Sequence, residues 1–167
     1  MEIIAEKNDF TKIFYSGCKS AQSIGLEYEK LPVYKKDYTA VRYENIVKLL
    51  LELENDDRTV IFEDKNPMGM ILPQGHISLE PGSQFEISLN PVKNISDIRK
   101  MLDEYNEETE NIAEKFGICW LKSGIQPVSV YENIKIIPKK RYAQMTEYLP
   151  KKARLPFVMM RETAGIQ

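Results

Sequence analysis

Residues 76–89 read HISLEPGSQFEISL, and in this stretch apolar and polar side chains alternate on both sides of a turn. A period of two is typical of a strand with one buried face, and Pro81-Gly82-Ser83 has the composition of a tight turn. The stretch therefore predicts an antiparallel hairpin. Its apolar face carries Ile77, Leu79, Phe85, Ile87 and Leu89, and its polar face carries His76, Ser78, Glu80, Gln84, Glu86 and Ser88.

A second segment, SIGLEYEK at residues 23–30, alternates in the same way and places two glutamates on one face of a predicted strand. Two ionised glutamates at this spacing repel each other unless that face is solvated or holds a cation. If both segments belong to one antiparallel sheet, its polar face collects Glu27, Glu29, Glu80 and Glu86. Mg²⁺ prefers carboxylate oxygens, so this face suits a metal–nucleotide site, and a solvated acidic surface is the alternative.

Apolar residues at helical spacing predict helices over residues 10–22, 43–54, 96–116 and 139–149. Ser96 is the expected N-cap of the third helix and Gly117 the residue that ends it, while Pro138 and Pro150 bound the fourth. Strands are expected around Val60, Ile61 and Phe62 and at residues 163–167. Together these elements predict an α+β fold with helices packed on the apolar face of a sheet.

Composition argues against several classes of partner. The 25 acidic and 23 basic side chains give a net charge of −2, which predicts neither nucleic-acid nor membrane binding. No apolar run approaches the roughly 20 residues that span a bilayer, and the acidic start lacks a signal-peptide pattern, so a cytoplasmic location is expected. Cys18 and Cys119 are far apart in sequence and are expected to be reduced and buried.

Common catalytic motifs are absent from the sequence. It contains neither the G-x-x-x-x-G-K-[S/T] motif of a P-loop nor the G-x-G-x-x-G motif of a Rossmann fold, so these two kinds of phosphate-binding site are excluded. His76 is the only histidine and lies beside no paired serine or cysteine motif, which disfavours a hydrolytic triad. We expect His76 to be a polar residue on the strand surface, with a ligand or acid–base role as the alternative.

Four stretches, taken in order, resemble segments of plant and proteobacterial-type glutamate–cysteine ligases (γ-glutamylcysteine synthetases): GLEYEK at 25–30, ISLEPGSQFEIS at 77–88, PKKRY at 138–142 and MMRETAGIQ at 159–167. The second is the most specific. The resemblance implies a curved antiparallel sheet backed by helices, similar to the catalytic domain of glutamine synthetase. Because family members are much longer, residues 1–167 are expected to be the N-terminal part of one such domain, truncated at 167 and inactive alone.

The resemblance also implies ligands for the site. It makes Mg²⁺ the cofactor, with Glu27, Glu29, Glu80 and Glu86 as its ligands. Arg141, Arg161, Gln167 and Gln84 are implied to bind substrate. Arg161, expected at the entrance of a strand, is also the implied catalytic residue, because a guanidinium there can clamp a carboxylate or phosphate. For Arg141 a cation on a helix surface is the alternative.

The implied reaction begins when ATP phosphorylates the γ-carboxylate of glutamate, after which the amine of cysteine displaces phosphate. This is the first step of glutathione biosynthesis, and the implied partners are glutamate, cysteine, ATP and the missing C-terminal part of the domain. Two alternatives stay open. One is another carboxylate–amine ligase of the superfamily, such as the ergothioneine-pathway enzyme, and the other is a non-catalytic metal-binding homologue.

Overall fold

Six strands form the sheet at the centre of the structure, a computed structural model that describes residues 7–18 and 22–167. Their order is β2-β3-β4-β5-β1-β6, and each neighbouring pair is antiparallel. The strands are β1 Ile24–Tyr34, β2 Thr59–Glu63, β3 Asn66–Leu72, β4 Gly75–Leu79, β5 Phe85–Val92 and β6 Ile118–Leu121.

Helices cover one face of this sheet. The α-helices are α1 Lys7–Gly17, α2 Tyr43–Glu52, α3 Ile95–Lys115, α4 Lys140–Tyr148 and α5 Pro156–Glu162, with single 3₁₀ turns at Tyr131–Asn133 and Leu149–Lys151. Helix α2 contacts β3, α3 contacts β1, β5 and β6, and the two helices contact each other. The predicted α+β fold with an antiparallel sheet is therefore confirmed. No helix in the described ranges is long and apolar enough to cross a membrane.

The hairpin predicted from residues 76–89 is present as β4 and β5, with Ile77 opposite Ile87. Its apolar residues belong to one buried cluster that includes side chains of α2 and α3, such as Leu49 and Tyr105. Burying a large aliphatic or aromatic side chain contributes about 1.5–3 kcal/mol to the free energy of folding. The alternating pattern of this hairpin therefore favours the orientation in which its apolar face packs against the helices. The other face of the sheet is then left for polar residues.

Several predicted helix ends are wrong by one to a few residues. Helix α1 begins and ends earlier than the predicted 10–22, of which residues 19–21 lie outside the described part. The N-cap of α3 is Asn94, in an extended conformation with its amide nitrogen 3.0 Å from Asp97 Oδ2, and Ser96 lies inside the helix. Gly117 has a φ of 64° directly after α3, so its predicted role in ending the helix fits.

A helix precedes the C-terminal segment in which a strand was predicted. Pro156 begins a helix, α5, since proline is favoured in a first helical turn, and Arg161 therefore lies in the last turn of that helix. The prediction that Arg161 stands at a strand entrance is wrong. Residues 163–167 are extended, and the backbone amides of Glu27 and Gln167 donate to each other's carbonyls at 2.9 Å. This segment therefore pairs with β1.

The expectation that both cysteines are buried is wrong. Both are free thiols, but Cys18 is exposed and Cys119 is only partly buried. Cys18 follows α1, where the aromatic side chains of Phe14 and Tyr15 are also exposed.

The side chain of Lys30, a residue of β1, is buried against α3, and no pattern in the sequence predicts this burial. Lys30 is only 2% exposed, and its Nζ donates to Thr109 Oγ1 at 2.6 Å and Asn106 Oδ1 at 3.2 Å. The same nitrogen lies 4.2 Å and 4.5 Å from the ring centres of Tyr105 and Trp120. Burial lowers the pKa of Lys30 to about 7, although the carboxylate of Glu110 acts in the opposite direction.

We predict that replacing Lys30 by Met makes the free energy of unfolding less dependent on pH. Between pH 7 and 10.5 the folded protein has lost the Lys30 proton while the unfolded chain keeps it, so stability rises with pH across this range. Over the whole range the rise is on the order of 5 kcal/mol at most. Lys30→Met is expected to remove this rise and to stabilise the protein at pH 6, measured by urea unfolding from pH 6 to 9.

The control for this prediction is Lys100→Met, on the exposed surface of α3. It is expected to keep the slope of the unaltered protein. If Lys30→Met keeps that slope as well, Lys30 does not lose its proton near neutral pH in the folded state.

Candidate functional site

Four glutamates project from the face of the sheet that α2 and α3 leave open. Glu29 is directly opposite Glu86 in the β1–β5 pairing, and Glu27 is opposite Ser88. Residues directly opposite each other project to the same side, and Glu80 is two residues beyond Ser78, the β4 partner of Glu86. We call Glu27, Glu29, Glu80 and Glu86 the carboxylate face. The prediction that these four share one side of the sheet agrees with the register.

The hydroxyl of Ser78 lies between two members of the carboxylate face. Its Oγ is 3.2 Å from Oε1 of Glu80 and 3.1 Å from Oε1 of Glu86. Ser88 Oγ donates to the same oxygen of Glu86 at 3.3 Å. Serine hydroxyls therefore contact the carboxylates of Glu80 and Glu86. Because a hydroxyl is uncharged, these contacts do not neutralise the two negative charges. His76 is exposed on β4, where it pairs with Ser88, as expected of a polar strand residue.

Three kinds of neighbouring group act on the pKa of Glu29, a partly buried member of the carboxylate face. Partial burial raises the pKa of Glu29, and the nearby carboxylates of Glu86 and Glu80 raise it further. The backbone N–H of Gly165 donates to Glu29 Oε2 at 2.8 Å and acts in the opposite direction. A cation beside Glu29 would favour its ionised form, so binding of a cation would release a proton wherever Glu29 is protonated.

The donor set of the carboxylate face has the chemistry of a site for a hard divalent cation. It offers carboxylate oxygens alone, and none of its members forms an ion pair with a lysine or arginine of the described residues. However, no group of three or more His, Cys, Asp or Glu side chains in residues 7–18 and 22–167 is arranged so that it could hold a metal ion. Binding an ion would therefore require these side chains to rotate toward one point.

The hairpin turn that precedes Glu86 is buried under α5. A Cβ atom at Gly82 would lie 2.6 Å from the carbonyl oxygen of Arg161 and 2.8 Å from its Cα, so only glycine fits there. Ser83 has a φ of 71°, which a non-glycine residue rarely adopts. Turns usually lie on the surface. This turn is instead buried, and it packs directly against α5, the helix that precedes residues 163–167.

Gln84 lies inside this turn and not on the open face where it was predicted. Its side chain is 2% exposed, and its Oε1 accepts from the backbone N–H of Gly82 at 2.7 Å. Its Nε2 donates to the carbonyls of Met160 at 3.1 Å and Thr163 at 2.9 Å. These bonds use the carboxamide to join two segments of backbone. A substrate-binding role for Gln84 stays a prediction.

The other residues predicted to bind substrate occupy separate positions. Arg161 donates from one terminal nitrogen to the carbonyls of Tyr131 at 2.8 Å and Ile134 at 3.2 Å, and burial lowers the pKa of its guanidinium. Arg141 is exposed on α4. Gln167 is exposed and is the only one of the three whose backbone pairs with a residue of the carboxylate face, Glu27. Their roles in binding stay predictions.

A cleft of about 380 Å³ adjoins Glu29 at the outer edge of β1. Residues 121–124 and residues 164–166 form its other walls. Lys122 and Ser123, which line it, were not singled out in the sequence, because they belong to no motif and the cleft forms only when residues 163–167 pair beside β1.

Fold and site together define an α+β protein with an antiparallel sheet that presents carboxylates on its open face. Comparison with known proteins gives the family. The sequence model of glutamate-cysteine ligase family 2 matches residues 23–167, and the chain belongs to this family.

Individual relatives agree with this assignment. The chain is 34% identical to the chloroplastic glutamate–cysteine ligase of Nicotiana tabacum over 164 residues, which cover 96% of this chain and 31% of the relative. It is 33% identical to glutamate–cysteine ligase A of Oryza sativa subsp. japonica and 32% identical to the ligase of Arabidopsis thaliana, again over 96% of this chain, with 33% and 31% of those relatives covered. The chain therefore spans about a third of the length of these relatives.

The comparisons contradict one expectation. A cytoplasmic location was expected from the composition and the N-terminal residues, but the relatives are described as chloroplastic enzymes. The expectation is therefore wrong, because composition carries no information about compartment beyond the absence of a recognisable leader pattern.

We predict that Gln84→Ala destabilises the protein by about 3 kcal/mol, because it leaves a buried backbone N–H and two carbonyls without their partner. Urea unfolding measures this loss. Gln144→Ala, on the exposed surface of α4, is the control and is expected to change stability by less than about 0.5 kcal/mol. Equal losses in the two variants would show that the carboxamide does not hold the buried turn.

Proposed function

We propose that the chain is part of the catalytic domain of an ATP-dependent glutamate–cysteine ligase, which joins the γ-carboxylate of glutamate to the amine of cysteine through γ-glutamyl phosphate. Family membership and the names of the relatives support the reaction class. The observation that carries the proposal is the register of β1 with β5, which puts carboxylates on one open face. Enzymes that transfer a phosphoryl group from ATP use divalent ions to offset its charge, and carboxylate oxygens can hold such ions.

In this proposal the carboxylate face holds Mg²⁺, which when bound offsets the charge of the triphosphate and of the attacking carboxylate. Ser78 keeps Glu80 and Glu86 beside each other, since its hydroxyl contacts both. The N–H of Gly165 orients Glu29, so the segment that follows α5 contributes to the site through its backbone. These residues position charge and need not transfer protons themselves.

The remaining predicted residues divide into two groups in the proposal. Arg141 and Gln167 are exposed, so their side chains are free to contact glutamate or ATP. Arg161 and Gln84 bond to backbone carbonyls, and we assign them the positioning of α5 and the hairpin turn relative to each other. No residue is assigned as the base for the cysteine amine.

The proposal predicts that Glu80→Gln and Glu86→Gln each lower the turnover number of the whole ligase about a hundredfold, equivalent to roughly 3 kcal/mol of lost stabilisation. Glutamine keeps the shape of the side chain and removes its charge. Folding should be little affected, since removing one carboxylate relieves repulsion when no metal is bound. The measurement is steady-state formation of γ-glutamylcysteine at saturating ATP and limiting Mg²⁺.

Glu107→Gln is the matched control, because Glu107 is an exposed glutamate on α3, away from the carboxylate face. It should leave turnover unchanged. Near-normal turnover in both Glu80→Gln and Glu86→Gln would mean that the carboxylate face is a solvated acidic surface and that the reaction occurs elsewhere.

A further inference from the structure

Two neighbouring side chains at the end of α5 hold the backbone of a single residue, Tyr131. Arg161 Nη1 donates to the carbonyl of Tyr131 at 2.8 Å, and Glu162 Oε1 accepts from its N–H at 2.6 Å. Among the salt bridges of the described residues, Arg161 and Glu162 form no ion pair with each other. The two opposite charges are instead both used to bind the same piece of backbone.

The bound residue belongs to segment 124–131, which lies beside the end of α5. The N–H of Gln126 donates to the carbonyl of Glu162 at 2.7 Å, and the N–H of Ala164 donates to the carbonyl of Gly124 at 3.0 Å. Segment 124–131 is therefore joined to the end of α5 by backbone contacts as well as by side chains.

Apolar burial contributes little to this attachment. Ile125, Val128 and Val130 are 50%, 52% and 50% exposed. Tyr131 begins a 3₁₀ turn, so its N–H has no partner within that turn, and the carboxylate of Glu162 supplies one. A hydrogen bond to an ionised carboxylate is stronger than one between neutral groups. The position of segment 124–131 relative to α5 therefore depends on polar contacts such as this one.

The residues that follow Glu162 lead directly to the carboxylate face. Gly165, three residues further on, donates its N–H to Glu29 Oε2 at 2.8 Å and accepts from the N–H of Glu29 at 3.0 Å. We propose that Glu162 is a positioning residue of the carboxylate face, which holds the end of α5 against segment 124–131 and thereby fixes Gly165 beside Glu29. The proposal rests on the proposed function, because it assumes that Glu29 binds a divalent cation.

The proposed role of Glu162 is indirect. Its carboxylate is occupied by the backbone of Tyr131, and we assign it no contact with a cation or a substrate. Replacing groups that orient metal ligands commonly weakens metal binding by about 10–100-fold, although these groups do not touch the metal. The role requires an acceptor for the N–H of Tyr131 and not a charge, so Glu162→Gln is expected to keep the role and Glu162→Ala to lose it.

The first test measures the affinity for Mn²⁺, which takes the same oxygen ligands as Mg²⁺, by electron paramagnetic resonance of the free ion. Glu162→Ala is expected to weaken binding on the order of tenfold, whereas Glu162→Gln is expected to stay within about twofold of the unaltered protein. Glu147→Ala is the control for the loss of one negative charge, because Glu147 is an exposed acid on α4. It should leave the affinity unchanged.

A double variant tests whether the effect passes through Glu29. In a Glu29→Ala background, adding Glu162→Ala should weaken Mn²⁺ binding less than about twofold, because two changes that act through one contact are not additive. A further loss on the order of tenfold in this background would show that Glu162 acts elsewhere, and the positioning role would be overturned.

Amide hydrogen exchange separates this proposal from the proposed function, because it needs no metal. Glu162→Ala is expected to speed the exchange of the Gly165 N–H on the order of tenfold, and Glu162→Gln is expected to leave it unchanged. The positioning role is overturned if exchange at Gly165 is the same in all variants, or if it rises in Glu162→Ala while Mn²⁺ affinity stays constant. If Gly165 responds as expected but the unaltered protein binds no Mn²⁺, the proposed function is overturned and the positioning role with it.

Discussion

The pairing of β1 with β5 is the constraint on which the site depends. It places Glu29 directly opposite Glu86, an arrangement of like charges that is unfavourable in a sheet. The apolar side chains on the other face of these strands, such as Ile87, are buried in the core, and a shift by one residue would exchange the two faces. Burial of the core therefore outweighs the repulsion and fixes the carboxylates on the open face, where a divalent cation can compensate them.

A second set of contacts connects this face to the C-terminal part of the chain. The carboxamide of Gln84 bonds to the carbonyls of Met160 and Thr163, so the hairpin turn and the end of α5 are held together. The chain then continues to Gly165, whose N–H contacts Glu29. Gln84 does not lie on the open face, but through these contacts it helps to determine the position of Glu29. Its contribution to the site is therefore indirect.

The elements that the sequence predicts well are those in which one physical signal dominates. The β4–β5 hairpin and α3 combine long apolar periodicity with turn or capping residues, and both are found close to their predicted bounds. Strand β3 was not predicted, since Met68-Gly69-Met70 lacks the β-branched residues that mark a strand. The site divides similarly. Alternation predicts where the carboxylates point, whereas the burial of Lys30 and Gln84 depends on tertiary contacts.

The most direct test of the carboxylate face is paramagnetic broadening of backbone amide signals by Mn²⁺, which takes the same oxygen ligands as Mg²⁺. At substoichiometric Mn²⁺ we expect signals of residues 27–30, 78–80 and 86–88 to broaden first, and Glu29→Gln or Glu86→Gln to weaken the effect. Signals from the exposed acidic surface of α3, such as Glu104 and Glu107, should stay sharp. Broadening that begins on α3, or that is equal over the whole chain, would contradict a metal site on the open face of the sheet.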